Sequence, residues 1–381
     1  MNPVAPSSVA PEDRLAPIDV LRGVALFGVM AVNLVTGFRV SIFQQFLAHE
    51  TPLSAADRFV EAFVSLGLEM KAFALFSFLF GVGLAIQFDR LSACGRPAYW
   101  LIRRLAVLLL FGLVHLLLIW NGDILVEYAL AGFLVLPFLY APRWVLAAGC
   151  AGLLALYVGM PMVDFPIPWP SAALLQQHVT EANRVYATGG FSEIWRFSLR
   201  ELPLLAPLHV WIFPRTVALF LLGVLVWRSG LLRHLGRYKP ELAVIAVIGI
   251  VMGAGLTRTD ASARFATVAL ALGYGAAVLL LVQLPVTGRA LGAFDPLGRM
   301  AFTNYVMQSL VFGWIFFGYG LGLFGRLGAA PALTIGVGVF AAQMLLSAWW
   351  LARFRFGPLE WLWRTLMYGE AQPMRRQPSP A

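Results

Sequence analysis

Three polar residues interrupt the first apolar run of the chain: Asp19, Arg22 and Asn33. Asp19 and Arg22 are three apart, so on a helix they share a face and can pair. Arg22 to Asn33 is eleven residues, or three turns plus about 20°, which puts all three on one stripe, with Asn33 about 16 Å beyond Arg22. A charge in the middle of a membrane helix costs about 2.5–3.5 kcal/mol on insertion scales, so each such group is a candidate for function. The plain alternative is an anchoring ion pair plus an interhelical hydrogen bond. The same eleven-residue step separates Arg104 from His115, and Asn121, Asp123, Glu127 and Tyr128 follow closely. A histidine beside a carboxylate is the smallest unit for general base chemistry, because the acid fixes the imidazole tautomer and stabilises the imidazolium. A core histidine bonded to a carbonyl would look the same in sequence.

Further along, Arg299, Thr303, Asn304 and Gln308 share one apolar run. Asn304 and Gln308 are one turn apart, where amides can grip a ligand or hold neighbouring helices together. Lys71, at the mouth of another run, can snorkel, pair with Glu69 or meet an anionic ligand. His49, His178 and His209 are expected outside the membrane, and His234 in a cytoplasmic loop. Cys94 and Cys150 fall at different depths and give no disulfide framework. HExxH, GxSxG, Walker A and CxxC patterns are all missing, which removes the usual support for metalloprotease, ATP-driven and dithiol chemistry.

These residues need a scaffold that holds polar groups inside an apolar medium. Of 381 residues, 60% are hydrophobic and 12% charged, against roughly 45–50% and about 25% in soluble domains. Mean hydropathy is +0.78. One water-soluble core cannot absorb that excess, which excludes a disordered chain, a disulfide scaffold and an ordinary soluble enzyme. The net charge of +9 comes from arginines scattered between apolar segments. Such a distribution sets membrane orientation and gives no basis for a nucleic-acid partner. The expected partner is the lipid bilayer.

A bilayer core of about 30 Å needs about 20 helical residues. Ten runs of that order lie near 17–38, 71–88, 103–121, 123–141, 143–160, 211–228, 240–257, 263–285, 298–320 and 330–352. The third and fourth are separated only by Trp120, Asn121, Gly122 and Asp123, which predicts a tight antiparallel hairpin. Eighteen basic residues fall on the side of both termini, among them Arg14, and eight on the other, among them Arg258. That asymmetry favours N-in and C-in. The first thirteen residues are polar and lack a basic n-region, so the run behind them reads as a retained anchor. Residues 56–70 read as an external amphipathic helix. Residues 161–210 read as the largest external segment, with helical patches at 171–187 and 191–201 around Gly189 and Gly190. The expectation is an all-α, polytopic membrane helix bundle of about ten transmembrane helices. Residues 1–370 form its single domain, and 371–381 a disordered cytoplasmic tail.

Four stretches also carry a resemblance. Arg14 to Gly28 (RLAPIDVLRGVALFG), with Asn33 after it, resembles the opening of the YeiB-like bacterial integral membrane proteins, a family labelled as of unknown function. Lys71 to Gly83 (KAFALFSFLFGVG), His115 to Leu130 (HLLLIWNGDILVEYAL), and Gly298 to Gln308 (GRMAFTNYVMQ) with Gly357 to Arg364 (GPLEWLWR) agree with it. The match runs from about residue 14 to 368. That family is similar, more distantly, to transmembrane acyltransferases, including the heparan glucosaminide acetyltransferase and the type-3 acyltransferases. The shared element is the first-helix arginine with a polar residue eleven positions on, here Arg22 and Asn33. Type-3 members have histidine at the second position. The glucosaminide enzyme has its essential histidine a further eleven residues along, where this chain has Gln44, so His115 is assigned from its own surroundings.

The resemblance implies a multi-pass protein of the bacterial cytoplasmic (inner) membrane that moves an acyl group from cytosolic acyl-CoA to a hydroxyl or amine outside. Acyl-CoA or acetyl-CoA is then the expected co-substrate, with no metal. A small molecule or glycan is the expected acceptor, and a homodimer is left open. On this reading Arg22 and Asp19, with Arg103 or Arg104, hold the donor. His115 acts as base, oriented by Asp123 or Glu127, and Asn33 stabilises the oxyanion. Lys71, Glu127, Asn304 and Gln308 are candidates for contact with the acceptor. The alternatives are a small-molecule transporter or permease with a proton relay through Asp19, Glu127 and His115, and a non-enzymatic membrane scaffold.

Overall fold

A computed structural model describes residues 15–47, 54–93, 95–162, 169–256 and 260–376. Arg14, His49, Cys94, Arg258 and residues 377–381 lie outside the described residues. The helices are α1 (Ala16–Asn33), α2 (Ala55–Ala62), α3 (Lys71–Ser92), α4 (Pro97–Val114), α5 (Leu125–Val135), α6 (Arg143–Gly159), α7 (Ala172–Thr188) and α8 (Phe191–Ser229). They continue with α9 (Lys239–Gly255), α10 (Asp260–Leu281), α11 (Pro285–Leu291), α12 (Asp295–Arg299), α13 (Ala301–Phe316), α14 (Ala329–Arg353) and α15 (Pro358–Tyr368). Three π turns, Leu34–Phe38, Phe63–Leu68 and His115–Ile119, extend α1, α2 and α4.

The chain is an all-α polytopic bundle. Among the described residues, seven helical stretches are long and apolar enough to cross a membrane, including Ala16–Phe38, Pro97–Ile119, Arg143–Met162 and Ala329–Arg353. Three more of the ten expected runs form shorter helices, Leu125–Tyr140, Lys239–Gly255 and Ala301–Phe316. Burial separates centre from rim. In α1 72% of the apolar window is buried, whereas the windows in Pro97–Ile119 and Arg143–Met162 are 22% buried and show leucine to the surroundings. At the centre α3 crosses α8 where Gly81 faces Phe220 and Gly223 faces Phe78, and any Cβ there would enter the opposite backbone. Small residues allow this approach where dispersion contacts must replace hydrophobic driving force.

α8 departs from expectation. The patch expected at 191–201 is the start of one 39-residue helix that continues through Pro203, Pro207 and Pro214, about 58 Å of rod. At 100° per residue the three prolines fall within about 40° of one another, so the hydrogen bonds they remove come from a single stripe. α7 corresponds to the helical patch expected at 171–187 and packs against α8. α2 with its π turn reaches Leu68, in line with the amphipathic helix expected at 56–70.

The turn after α13 contains Gly320-Leu-Gly322-Leu-Phe-Gly325, the letters of a dinucleotide fingerprint. It follows a helix instead of a strand, and Gly322 and Gly325 sit at φ 65° and 69° to reverse the chain, so it is a turn. The tail expected to be disordered from 371 is held as far as Arg376. There Met374 O accepts from Arg355 N (2.9 Å), Gln372 O accepts from the Trp361 indole (2.7 Å), and Phe354 pairs with Arg375.

Candidate functional site

The π turn at the end of α4 and the short link to α5 place the chemistry. Gly112 faces the backbone of Leu125 and Val126, which lets α4 and α5 meet closely. Within that hairpin His115 Nδ1–H donates to Asp123 Oδ1 at 2.8 Å, and Asp123 Oδ2 accepts the Val126 amide at 2.7 Å, one of the free N–H groups at the start of α5. A carboxylate only accepts, so Nδ1 carries a proton, and in the neutral imidazole Nε2 is then the nitrogen with the lone pair. Nε2 lies 2.9 Å from Ser309 Oγ on α13. His115, Asp123 and Ser309 are 1%, 2% and 3% exposed. Tyr305, one turn before Ser309, lays its ring 5.1 Å from the imidazole.

The expected His115–Asp123 pair is therefore present, and Glu127 takes no part in it. Glu127 is buried against α8, accepting from Thr216 Oγ1 (2.6 Å) and paired with His209 (2.8 Å). Asn33 is buried at the end of α1, but both ring nitrogens of His115 are taken by other groups.

A cavity of about 620 Å³ lies between α1, α3, α4, α5, α13 and α15. It is lined from Arg90 to Phe76 along α3, about 21 Å of helix. One end is basic: Arg22, Arg90, Arg104, Arg233, Arg299, Arg355 and Arg364 line it, with Asp19, Asp89 and Glu360 among the lining residues and Asp295 paired with Arg299 at 3.7 Å. The other end is apolar, formed by Val29, Phe76, Phe80, Ile124 and Leu125 with Tyr128 and Tyr305. Tyr305 thus touches the cavity on one side and the His115 ring on the other.

The basic mouth is under-neutralised. Arg22 pairs with Asp19 at 2.5 Å, as the spacing predicts, and Arg233 with Asp89 at 2.8 Å. Arg104 sits 4.1 Å above the Trp363 ring, with no carboxylate partner among the described residues and its Nε buried without an acceptor. The face of an indole attracts a cation but does not neutralise it. α15 supplies Trp363 and Arg364, and its Glu360 accepts from the Phe302 and Thr303 amides at 2.9 and 3.0 Å, closing the N-terminus of α13. Burial pushes the Glu360 carboxyl above the ordinary range, against the Thr303 hydrogen bonds that pull it down.

Other expected residues lie elsewhere. Arg103 bonds Tyr99 and the Leu366 carbonyl and does not line the cavity, so of the two neighbours Arg104 faces it. Asn304 bonds Ser347, and Gln308 bonds Gln343, at 3.0 and 2.9 Å, so both amides tie α13 to α14. Lys71 donates to the Ser65 carbonyl away from the cavity. On the far side of the hairpin Asn121 Nδ2 donates to the buried Glu201 at 2.7 Å. That carboxylate also accepts from Tyr186 and pairs with His178.

Residues 226–370 match the family described as "Protein of unknown function (DUF418)". The chain is 33% identical to "Uncharacterized protein YxaH" of Bacillus subtilis over 96% of this chain and 97% of that protein. It is 30% identical to an "Uncharacterized 39.9 kDa protein in amylase 3'region" of Bacillus acidopullulyticus, over 96% and 97%. Against "Uncharacterized protein YeiB" of Escherichia coli it is 28% identical over 95% and 98%. Similarity at this level, spanning both chains almost end to end, shows that the chain belongs to the DUF418 family of YeiB-like membrane proteins.

Proposed function

We propose that the chain is an acyltransferase of the bacterial inner membrane, N-in and C-in, moving an acyl group from cytosolic acyl-CoA to a hydroxyl or amine acceptor on the outer side. The observation that carries the reading is one cavity that begins in a basic mouth and ends in an apolar chamber against Tyr305, which covers the His115–Asp123 pair. Phosphates and the acyl group at the far end of an extended thioester arm need those two environments in that order. Arg22 and Arg104 bind the phosphates, with Asp19 holding Arg22 in place. Asp123 fixes the tautomer that leaves Nε2 of His115 basic, the arrangement a general base requires.

The test is direct. Purified protein incubated with radiolabelled acetyl-CoA and cell-envelope extract should label an acceptor, and His115→Ala should lose that labelling. Full labelling by His115→Ala removes the assigned base. Solute movement into liposomes driven by a pH gradient, without acyl transfer, favours a transporter instead.

A further inference from the structure

The imidazole of His115 is held at both ends. Asp123 takes Nδ1–H, and the group at the basic nitrogen is the hydroxyl of Ser309, 2.9 Å away and 194 residues distant in sequence. A hydroxyl donating to the free nitrogen of a carboxylate-oriented histidine is the arrangement that activates serine as a nucleophile, recognised by geometry and not by chain order. A second feature lies on the same face of α13. The Tyr305 hydroxyl is buried with no hydrogen-bond acceptor among the described residues, and Tyr305 is the residue that borders the cavity. An unused donor next to a serine–histidine pair fits the place where a carbonyl oxygen becomes negative.

We infer that Ser309 is the nucleophile of a covalent half-reaction, so that the acyl group rests on the protein between donor and acceptor. This rests on the acyl-transfer reading and gives it a double-displacement form. In the first half, Ser309 Oγ attacks the thioester carbonyl and its proton passes to His115 Nε2. Tyr305 donates to the carbonyl oxygen. The C–S bond breaks, and the thiolate leaves with the proton from His115, giving an Oγ-acyl ester and free thiol. In the second half, the acceptor hydroxyl or amine gives its proton to Nε2 and attacks the ester carbonyl. The C–Oγ bond breaks, and Ser309 regains its proton from His115. Asp123 stays ionised throughout.

The experiment uses the purified full chain with radiolabelled acetyl-CoA and, separately, palmitoyl-CoA, quenched in acid before any acceptor is added. The expected result is an acyl adduct on the α13 peptide carrying Ser309, with free thiol released in equal amount. Ser309→Ala should give no adduct and lower acyl transfer on the order of 10⁶-fold. Ser309→Cys should form a thioester that neutral hydroxylamine releases, which keeps the test valid if the alanine variant is misfolded. Transfer to envelope acceptor with no adduct on Ser309, or transfer by Ser309→Ala at the wild-type rate, overturns the nucleophile and leaves acyl transfer standing. Failure of both thioesters to yield free thiol or acylated acceptor overturns the acyl-transfer reading together with this one.

Discussion

Replacing Asp123 by asparagine separates catalysis from stability. The carboxylate accepts twice, from His115 Nδ1 at 2.8 Å and from the Val126 amide at 2.7 Å. Asparagine can meet both only by turning its oxygen to Val126 and its NH₂ to Nδ1. That forces the proton of His115 onto Nε2, so the ring donates to Ser309 and can no longer take its proton. Every hydrogen bond survives, and the thermal midpoint in detergent or nanodiscs should move little, with a cost below about 1 kcal/mol. Acyl transfer should fall about 10⁴-fold, the scale at which a wrong tautomer disables such a histidine. Asp123→Ala provides the contrast, because it leaves a buried imidazole N–H and a helix-terminal amide without an acceptor. At about 1–3 kcal/mol for each orphaned group it should cost about 2–6 kcal/mol of stability as well. The assays are parallel thermal unfolding and radiolabelled transfer for the three proteins. Asp123→Asn retaining transfer within tenfold of wild type, or unfolding as early as Asp123→Ala, refutes the reasoning.

Arg104→Ala should weaken binding of coenzyme A about 10- to 100-fold, the size of one charge-assisted contact. Arg103→Ala, whose side chain is turned toward Leu366, should bind it as wild type does, and calorimetry on both variants checks the pair. Gly298→Ala would drive a methyl into the Asp19 carbonyl oxygen and part α12 from α1. It should lower the thermal midpoint by an overpacking cost of about 1–3 kcal/mol, and an unchanged midpoint contradicts that contact. Glu360 carries a carboxyl raised above 4.5 by burial, so its favourable contribution is full below that value and declines as pH rises through its folded value. Glu360→Gln cannot ionise, so its thermal midpoint relative to wild type should climb as pH rises from 4.5 and then level off. A flat or falling difference contradicts it.

The parts of the site legible in sequence were those set by local spacing. Asp19 and Arg22 are neighbours on any helix, and the eight-residue interval between His115 and Asp123 closes across a hairpin that four linking residues make unavoidable. Ser309 was not legible, because its partner lies 194 residues away and no periodic pattern measures that distance. The one available clue was that Ser309 stands four residues after Tyr305 and so shares its helix face. Arg299, Arg355 and Arg364 read as orientation signals, since charge near a membrane boundary serves topology and ligand binding alike, and only packing of α15 against α4 and α13 brings them to one cavity. The patch at 191–201 and the run near 211–228 read as separate elements, whereas in the structure they are one continuous helix. Asn304 and Gln308 had two uses in sequence, and in the structure both bond α14.

The π turn His115–Ile119 holds one residue more than an α turn would. That surplus acts as a phase setting. Losing one residue there, or gaining one, would rotate everything after it by about 100° relative to α4, carrying Asp123 off the imidazole and Asn121 off Glu201 together. The segment from His115 to Asp123 should therefore accept changes of side chain at its lipid-facing leucines far more readily than any change in length. A scan of single-residue deletions and insertions would register as an abrupt, all-or-none loss across those nine positions.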